Sequence, residues 1–462
     1  MVETIERDHN DLFAYKWGER FFKNPKTLFV VRSVALGIFI YALVYGFVHP
    51  EASENHFTTA VFWSFFWPFF MFLSLPTLGA YFCSVCPLAF VGKKIIKRKG
   101  QALKMPKVLK NPYISLTIVL GVYWGLFYAF PSVFSKPVAV AFFYTFFTFL
   151  AFLFYFLFKD MSYCAHICPI SAIRNAFSRI GFMWLGSYRS ACESCTTFEC
   201  AKACEFDQSP FNFDKNNSMG DCTLCMDCAN ACAAISYKAK GFGFSLTQPI
   251  RRARAVDVWT YLLLFAFMTL TMKLTTALNH SAVTDYLPWM WLTACCKALF
   301  PHSALNFEAV FTLLAAVGLT LFLVWLGFTK ASKILGINRK RLFVEVGYAY
   351  APLALVSSIG VAFQSFLTRY FHNVVNGFIE AFHLPFHFVA PLAQPGEEWL
   401  HLFGIFDFVA VGWTLFLIAR RIALVDSGRV KWLEREAFWW LSLLPLSYLV
   451  LCLLYVLNLG TQ

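Results

Sequence analysis

Apolar stretches of about 20 residues, each bounded by charged residues, proline or glycine, recur along the chain. A helix of that length crosses a hydrocarbon core of about 30 Å. The pattern predicts nine membrane spans, at residues 28–49, 58–82, 112–131, 138–158, 257–278, 307–328, 344–366, 403–422 and 437–458. Two further apolar stretches, around 284–302 and 372–395, are too short or too interrupted by proline to be spans. We expect re-entrant or interfacial helices there, packed on protein.

The composition agrees with this pattern. Of the 462 residues, 59% are hydrophobic and only 14% are charged, whereas an average soluble domain has about 25% charged residues. This excludes an ordinary soluble enzyme. The net charge of +13 arises from basic residues in short loops, where it indicates membrane orientation and not nucleic-acid binding. The first 27 residues are rich in charge, so a cleaved signal peptide is not expected.

The basic residues also predict an orientation. Eighteen of them lie in the loops 93–110, 329–343 and 420–436, against three in the loops on the other side, at 50–57, 132–137, 279–306 and 367–402. Because cytoplasmic loops carry an excess of lysine and arginine, the first set is expected to be cytoplasmic. Nine spans then place the N-terminus and the segment 159–256 in the cytoplasm and the C-terminus outside it.

Twelve of the fifteen cysteines fall into four short-spaced groups, an arrangement typical of metal ligands rather than disulfides. The run Cys222, Cys225, Cys228 and Cys232 has gaps of two, two and three residues. Cysteines with this spacing wrap one 4Fe-4S cubane and reach a second one. The other run differs only in a longer middle gap. By the usual crossed pattern, one cluster would be held by Cys192, Cys195, Cys200 and Cys232, and the other by Cys222, Cys225, Cys228 and Cys204. Zinc ribbons and disulfides are the alternatives, and both fit the spacing less well.

Two further pairs, each followed by proline, stand where the second and fourth predicted spans end: Cys83 with Cys86, and Cys164 with Cys168. Together with the two runs, they make the chain resemble the NapH/NosR/CcoG class of membrane polyferredoxins over roughly residues 28–278. The resemblance implies a bacterial inner-membrane protein that handles electrons at the quinone pool or passes them to an extracytoplasmic acceptor. The first pair has two intervening residues where the class usually has three, and about 180 residues of further membrane helices follow.

The expected fold class is therefore a polytopic α-helical membrane protein with an inserted small α+β dicluster ferredoxin-like module. Its predicted parts are a cytoplasmic N-terminal segment (1–27), a four-helix membrane domain (28–158), the ferredoxin-like domain (159–256) and a C-terminal membrane domain of about five spans (257–462). If the second and fourth spans pack together, the paired motifs could hold a third cluster or a metal ion, or act as a redox dithiol. The plainer alternative is four buried thiols.

Histidines and cysteines gather on the predicted outer side, at His280, Cys295, Cys296, His302, His372, His383, His387 and His401. Imidazoles and thiols of this kind could bind copper or haem iron, or accept protons from a quinol. Alternatively, each is an ordinary interfacial side chain. Lys273, Glu308 and Asp407 lie near the outer ends of their spans, where they either mark a functional site or snorkel to the interface.

The leading functional hypothesis is a membrane-bound electron-transfer subunit that links the quinone pool to a periplasmic cytochrome or metalloenzyme, or to a cytoplasmic electron donor. One alternative is a copper or metal reductase that assists assembly of a periplasmic metalloenzyme. The other is a redox-gated transporter, which would need discontinuous helices that meet at the bilayer midplane. No Ser/His/Asp set, phosphate loop or dinucleotide fingerprint stands in the chain. Hydrolytic catalysis is therefore not expected.

Overall fold

The protein is described by a computed structural model that covers residues 7–68, 70, 74, 79–96, 100–193, 195–213, 219–241, 243–250, 252–425 and 431–459. The principal helices are α1 (Pro25–Val48), α2 (Tyr113–Ala129), α3 (Pro137–Leu157), α4 (Pro169–Phe177), α5 (Ala255–Asn279), α6 (Pro288–Leu299), α7 (Phe307–Leu335), α8 (Arg339–Ala381), α9 (Glu398–Val425), α10 (Lys431–Leu441) and α11 (Leu443–Leu459). A small sheet pairs β1 (Met183–Ser187) with β2 (Ile235–Ala239).

Within the described residues, six helices are long and apolar enough to cross a membrane: α1, α3, α5, α7, α8 and α9. Helices α10 and α11 meet at a bend of 51° and make a seventh if the pair counts as one span. This is the architecture of a helical membrane-embedded protein. Of the two remaining predicted spans, 112–131 is the 17-residue helix α2, and much of 58–82 lies outside the described residues.

Helix α8 departs from the expected boundary at residue 366. It runs for 43 residues as far as Ala381, because its chain contains neither proline nor glycine from Phe366 to Asn376. The first part of the predicted interfacial segment 372–395 is therefore the end of a span-length helix. The other predicted interfacial segment contains α6, a 12-residue helix that packs against α7.

The ends of several helices meet on the side of the molecule away from the two cysteine runs. We call this side the far face. Tyr41 on α1 donates to the carbonyl of Ala381 at 2.6 Å, and the amide of Asn306 donates to the carbonyl of Ala129 at 2.9 Å. The far face therefore joins the N-terminal helices to α7 and α8. The opposite ends of α1 and α3 carry the cysteine-bearing module.

The two cysteine runs lie between antiparallel strands that bring the ends of the module together. Met183 pairs with Ala239 at one end of the ladder, and Ser187 pairs with Ile235 at the other. The residues that precede α1 add to this module. Buried Phe13, Phe22 and Leu28 share its core with Trp184 and Tyr237.

Asp11 fastens the N-terminal residues to the sheet. Its side chain is fully buried, and its oxygens accept the backbone amides of Phe13 and Tyr237 at 3.0 Å each and the hydroxyl of Tyr188 at 3.0 Å. Arg7 pairs with the same carboxylate at 2.8 Å. A buried carboxylate with this many donors is fully satisfied. The segment before α1 is thus a structural part of the cysteine-bearing module.

Candidate functional site

The two cysteine runs form loops of the same design. In each, a residue with positive φ caps a short helix, and the third cysteine of the run is the second residue of that helix: Phe198 (φ 50°) before Cys200, and Met226 (φ 65°) before Cys228. Positive φ is uncommon for side chains other than glycine and marks a constrained turn. Leu224 (φ 51°) adds a second such turn to the later run. These turns curl the chain so that cysteines distant in sequence face one another.

The first group that the structure brings together is Cys192, Cys195, Cys200 and Cys232. Cys200 is buried and interacts electrostatically with the other three. Burial raises the pKa of Cys200. At the solvent edge, the amide of Phe198, with the hydroxyl and amide of Thr197, lowers the pKa of Cys195. This group therefore has one buried wall and one exposed edge.

The second group is Cys204, Cys222, Cys225 and Cys228. All four line one small enclosed cavity, whose other walls include Leu185, Phe206, Pro210 and Phe213. Burial raises the pKa of Cys204, Cys222 and Cys228, and it raises that of Cys225 to about 12. The amide of Leu224 donates to Cys222 Sγ at 3.4 Å. Cys228 also interacts with Cys200, so the first two groups are neighbours.

The third group unites the two pairs that precede prolines. Cys83, Cys86, Cys164 and Cys168 interact electrostatically in every pairwise combination. Burial raises the pKa of Cys83 and Cys168 to about 12, and it raises the pKa of Cys86 and Cys164 as well. The surrounding core is apolar and includes Met105, Met161 and Ile167.

The prolines explain how these pairs are positioned. Proline at the first position of a helix costs no hydrogen bond and presets the backbone, so the preceding cysteine becomes the N-cap. Cys86 caps Pro87–Val91, and Cys168 caps α4. The sulfur of Cys86 lies near the backbone amides of Leu88 and Ala89, and the sulfur of Cys168 lies near those of Ile170 and Ser171. The positive end of a helix dipole favours a thiolate or another anion at this position.

Arg174 on α4 lies between the second and third groups. It is 1% exposed and interacts electrostatically with Cys83, Cys168 and Cys222. Its guanidinium donates to the neutral Asn175 Oδ1 at 2.8 and 3.1 Å and hydrogen-bonds Cys83, and it forms no ion pair with a carboxylate among the described residues. An arginine buried without an anion costs several kcal/mol. Arg174 is therefore placed between two cysteine groups.

Basic side chains of the N-terminal membrane domain link the same two groups. Arg32 on α1 donates to the carbonyl of Ser84 at 2.7 Å and to the carbonyl of Cys225 at 3.2 Å. Lys93 pairs with Asp227, which follows Cys225 by two residues, and interacts with Cys225 itself. The module and the helix ends are therefore held in contact where the second and third groups meet.

Thiol-rich groups of this kind are known ligand sets for both zinc and iron–sulfur clusters. All fifteen cysteines are free thiols. No three His, Cys, Asp or Glu side chains of the described chain are placed to ligate one metal ion. A zinc site requires its ligands within about 2.3 Å of one ion, whereas a cubane takes four thiolates at separate corners.

The far-face residues are not gathered into one group. His280 lies 3.6 Å from Glu308, and His401 lies 3.4 Å from the hydroxyl of Tyr455. The others are scattered: His302, His383 and His387 are exposed, Cys295 is exposed on α6 beside half-buried Cys296, and His372 lies on α8 near His56. The structure gives no geometric support to a shared metal site on this face.

Sequence reasoning missed the positively charged residues of the site. Lys93 was taken only as an orientation signal, and Arg174 and Arg32 were not singled out. One sequence signal for Arg174 exists, since it stands six residues after Cys168 on the helix that this cysteine caps. Compared with protein-family models, curated proteins and solved structures, the chain matches none of them.

Proposed function

We propose that this protein is a membrane-bound iron–sulfur electron-transfer protein that links the quinone pool to a redox partner. One observation carries the proposal: twelve cysteines form three groups of four in a continuous series. Cys228 and Cys200 join the first group to the second, and Arg174 joins the second to the third. A series of this kind is what stepwise electron transfer requires.

The assignment of ligands follows the three groups. Cys192, Cys195, Cys200 and Cys232 would hold the first cluster, Cys204, Cys222, Cys225 and Cys228 the second, and Cys83, Cys86, Cys164 and Cys168 the third. A 4Fe-4S cluster supplies one-electron transfer when bound. The protein contributes the apolar walls, the amides that face the sulfurs, and the positive charge of Arg174. All three adjust how readily a bound centre accepts an electron.

A disulfide-exchanging dithiol fits the third group poorly. Such chemistry needs a thiolate, and reactive cysteines have a pKa lowered to about 3.5–7.5. Burial acts in the opposite direction here and raises the pKa of Cys83 and Cys168 to about 12. A cationic iron centre would instead compensate four thiolates in this apolar pocket.

The two ends of the series suggest where the partners bind. The first group has an exposed edge at Cys195, where a donor or acceptor protein outside the membrane could approach. The third group adjoins the apolar helices, because Cys168 interacts with Tyr123 on α2 and Cys164 hydrogen-bonds Tyr155 on α3 at 2.7 Å. A quinone dissolved in the hydrocarbon layer would exchange electrons at that end. Bacterial inner-membrane location, with the module in the cytoplasm, belongs to the same proposal.

The test is reduction of the oxidised protein by a quinol analogue, followed by EPR. We expect the natural protein to be reduced and Cys83→Ala and Cys164→Ala to lose quinol reduction, while dithionite still reduces their first two clusters. Cys295→Ala, at an exposed far-face cysteine, is the control and should behave as the natural protein does. Quinol reduction that survives both variants would disprove the role of the third group.

A further inference from the structure

An open cavity lies where the residues that precede α1 meet the cysteine-bearing module. We call it the basic cavity. It measures about 440 Å³, within the range of about 300–1,000 Å³ that is typical of small-molecule sites. Its walls are formed by Lys16, Glu19, Arg20, Lys23, Asn24, Pro25 and Asn230. It shares no wall with the three cysteine groups, so the proposed electron path gives it no role.

Positive charge predominates in the basic cavity. Among its described wall residues, Glu19 is the one carboxylate, and this side chain pairs with Lys23 at 3.2 Å. Lys16 and Arg20 are exposed, and neither forms an ion pair within the part of the chain that the structure describes. Lys26, exposed in the first turn of α1, adds a further positive charge beside the cavity. The cavity is therefore suited to an anion.

The length of α1 gives the depth of the basic cavity in a membrane. A hydrocarbon core of about 30 Å takes about 20 helical residues, and about that number counted back from Val48 ends at Phe29. Phe29 and Val30 are exposed there, as lipid-facing side chains are. The headgroup layer on each side adds about 5–7 Å, or about four helical residues, which reaches Pro25. The cavity therefore lies at the level of the lipid headgroups.

Aromatic side chains beside the basic cavity indicate the same depth. Tyr15, Trp17 and Phe21 are 45%, 60% and 47% exposed, and they stand next to Lys16 and Arg20 in the sequence. Tyrosine and tryptophan concentrate at the interface between membrane and water. Segments that combine exposed apolar rings with lysine and arginine commonly lie in that interface. A lipid headgroup therefore reaches the cavity directly, whereas a soluble acidic protein would first have to displace lipid from these rings.

The module closes the opposite side of the basic cavity. Asn230 is exposed on the short helix Asp227–Ala231, and Asp227 at the start of that helix pairs with Lys93. Lys93 follows the helix Pro87–Val91 of the N-terminal membrane domain by two residues. The wall that carries Asn230 is therefore held against the membrane domain.

We propose that the basic cavity binds the phosphate headgroup of an anionic phospholipid such as phosphatidylglycerol. Lys16, Arg20 and Lys23 supply positive charge and hydrogen-bond donors to the phosphate. The acyl chains lie along the exposed apolar surface of α1 at Phe29 and Val30. Basic pockets beside membrane helices recognise headgroups of this class. The site requires neither iron nor electron transfer, so it stands independently of the proposed function.

The test is native mass spectrometry of the full-length protein in detergent, titrated with phosphatidylglycerol or with phosphatidylcholine. We expect the natural protein to retain phosphatidylglycerol selectively, and Lys16→Gln/Arg20→Gln to bind it about ten-fold more weakly, because two positive charges at the headgroup are lost. Lys340→Gln/Arg341→Gln is the matched control, since it removes two exposed positive charges at the start of α8 and outside the cavity. This control should retain the natural affinity.

Asn230→Trp distinguishes a shaped site from general attraction between charges. It fills the basic cavity from the side of the module, leaves every basic side chain in place and should also weaken the retention of phosphatidylglycerol. Unchanged retention in this variant, or an equal loss in the α8 control, would overturn the proposal. Displacement of the lipid by glycerol phosphate would overturn it by assigning the cavity to a soluble phosphate compound. The absence of any preference for phosphatidylglycerol over phosphatidylcholine would overturn it in favour of an acidic protein partner.

Discussion

Arg174 is the residue whose placement most needs an explanation. A guanidinium buried to 1% exposure, hydrogen-bonded to the neutral amide of Asn175 and to Cys83, is unstable unless negative charge lies close by. Thiolates of a bound cluster on either side would supply that charge. On this account the arginine stabilises the more negative, reduced state of both neighbouring centres.

Replacing Arg174 with glutamine should therefore lower the reduction potentials of the second and third centres. Loss of one positive charge near a centre in a medium of intermediate dielectric corresponds to a shift on the order of 100 mV. EPR-monitored redox titration measures it. Arg174→Lys keeps the charge and should retain most of the natural potential. Equal shifts in both variants would mean that the arginine acts through packing alone.

The close packing of Gly92 against the ring of Tyr155 is the second feature at the scale of single residues. A Cβ at position 92 would overlap the Tyr155 ring and could be accommodated only if that ring moved. Gly92→Ala should therefore destabilise the protein by about 1–3 kcal/mol and disturb the hydrogen bond from Tyr155 to Cys164. A thermal unfolding curve measures the first effect, and the EPR signal of the third centre measures the second.

Tyr155→Phe separates these two effects. It keeps the ring that packs on Gly92 and removes only the hydroxyl at Cys164. The unfolding temperature should stay close to the natural value, while the signal of the third centre changes. An unfolding temperature as low as that of Gly92→Ala would assign the hydroxyl, and not the ring packing, as the stabilising element.

At the level of elements, the cysteine loops were predicted better in their spacing than in their conformation. The usual crossed pattern predicted two sets of four cysteines, and the structure places the members of each set near one another. That each set holds a cluster stays a prediction. The positive φ of Phe198, Leu224 and Met226 could not be predicted, because nothing local favours it in residues with these side chains. Surrounding contacts impose these turns.

One buried carboxylate contributes to the junction of the module with α5. Asp257 pairs with Arg179 at 2.8 Å and Arg254 at 3.2 Å, and it accepts the hydroxyl of Tyr348 at 2.7 Å. Arg254 also lies 3.6 Å from Asp221, the neighbour of Cys222. This network connects the second cysteine group to the C-terminal membrane domain.

Asp257→Asn should destabilise the protein by about 3–5 kcal/mol, because it removes the charge that the buried guanidinium of Arg179 faces at 2.8 Å. Thermal unfolding and limited proteolysis of the module are the measurements. Glu193→Gln is the matched control: its partner Arg189 is 4.0 Å away and both side chains are largely exposed, so no measurable change is expected. Equal stability of the two variants would show that the Asp257 network does not hold the junction.

For the whole molecule, apolar patterning predicted a helical membrane-embedded protein, and six of the nine predicted spans are helices of spanning length in the described residues, because hydrophobic length is a local property of sequence. It did not predict that α8 continues to Ala381, where Gly377 packs against the backbone of Phe57. Nor did it predict that Lys273 and Asp407 would meet, since they are distant in sequence and only helix packing brings them together. Ion pairs between helices depend on tertiary packing, which the pattern of apolar residues does not predict.

The N-terminal residues show the same limit. Their charge suggested a separate cytoplasmic segment, yet Asp11 and Phe13 are buried against the sheet of the cysteine-bearing module. The contact between these N-terminal residues and the sheet depends on residues of both strands, so residues 1–27 alone do not predict it. Membrane helices and cysteine spacing are thus readable from sequence, whereas the contacts that connect them are not.

The central claim is that three groups of four cysteines each hold an iron–sulfur cluster. It is tested most directly by iron and acid-labile sulfide analysis, with EPR, on anaerobically purified protein and on a variant with Cys83, Cys86, Cys164 and Cys168 all replaced by alanine. The account predicts about twelve irons in the natural protein and about eight in the variant, since each cubane holds four. Equal iron in the two proteins, or zinc without sulfide, would contradict it.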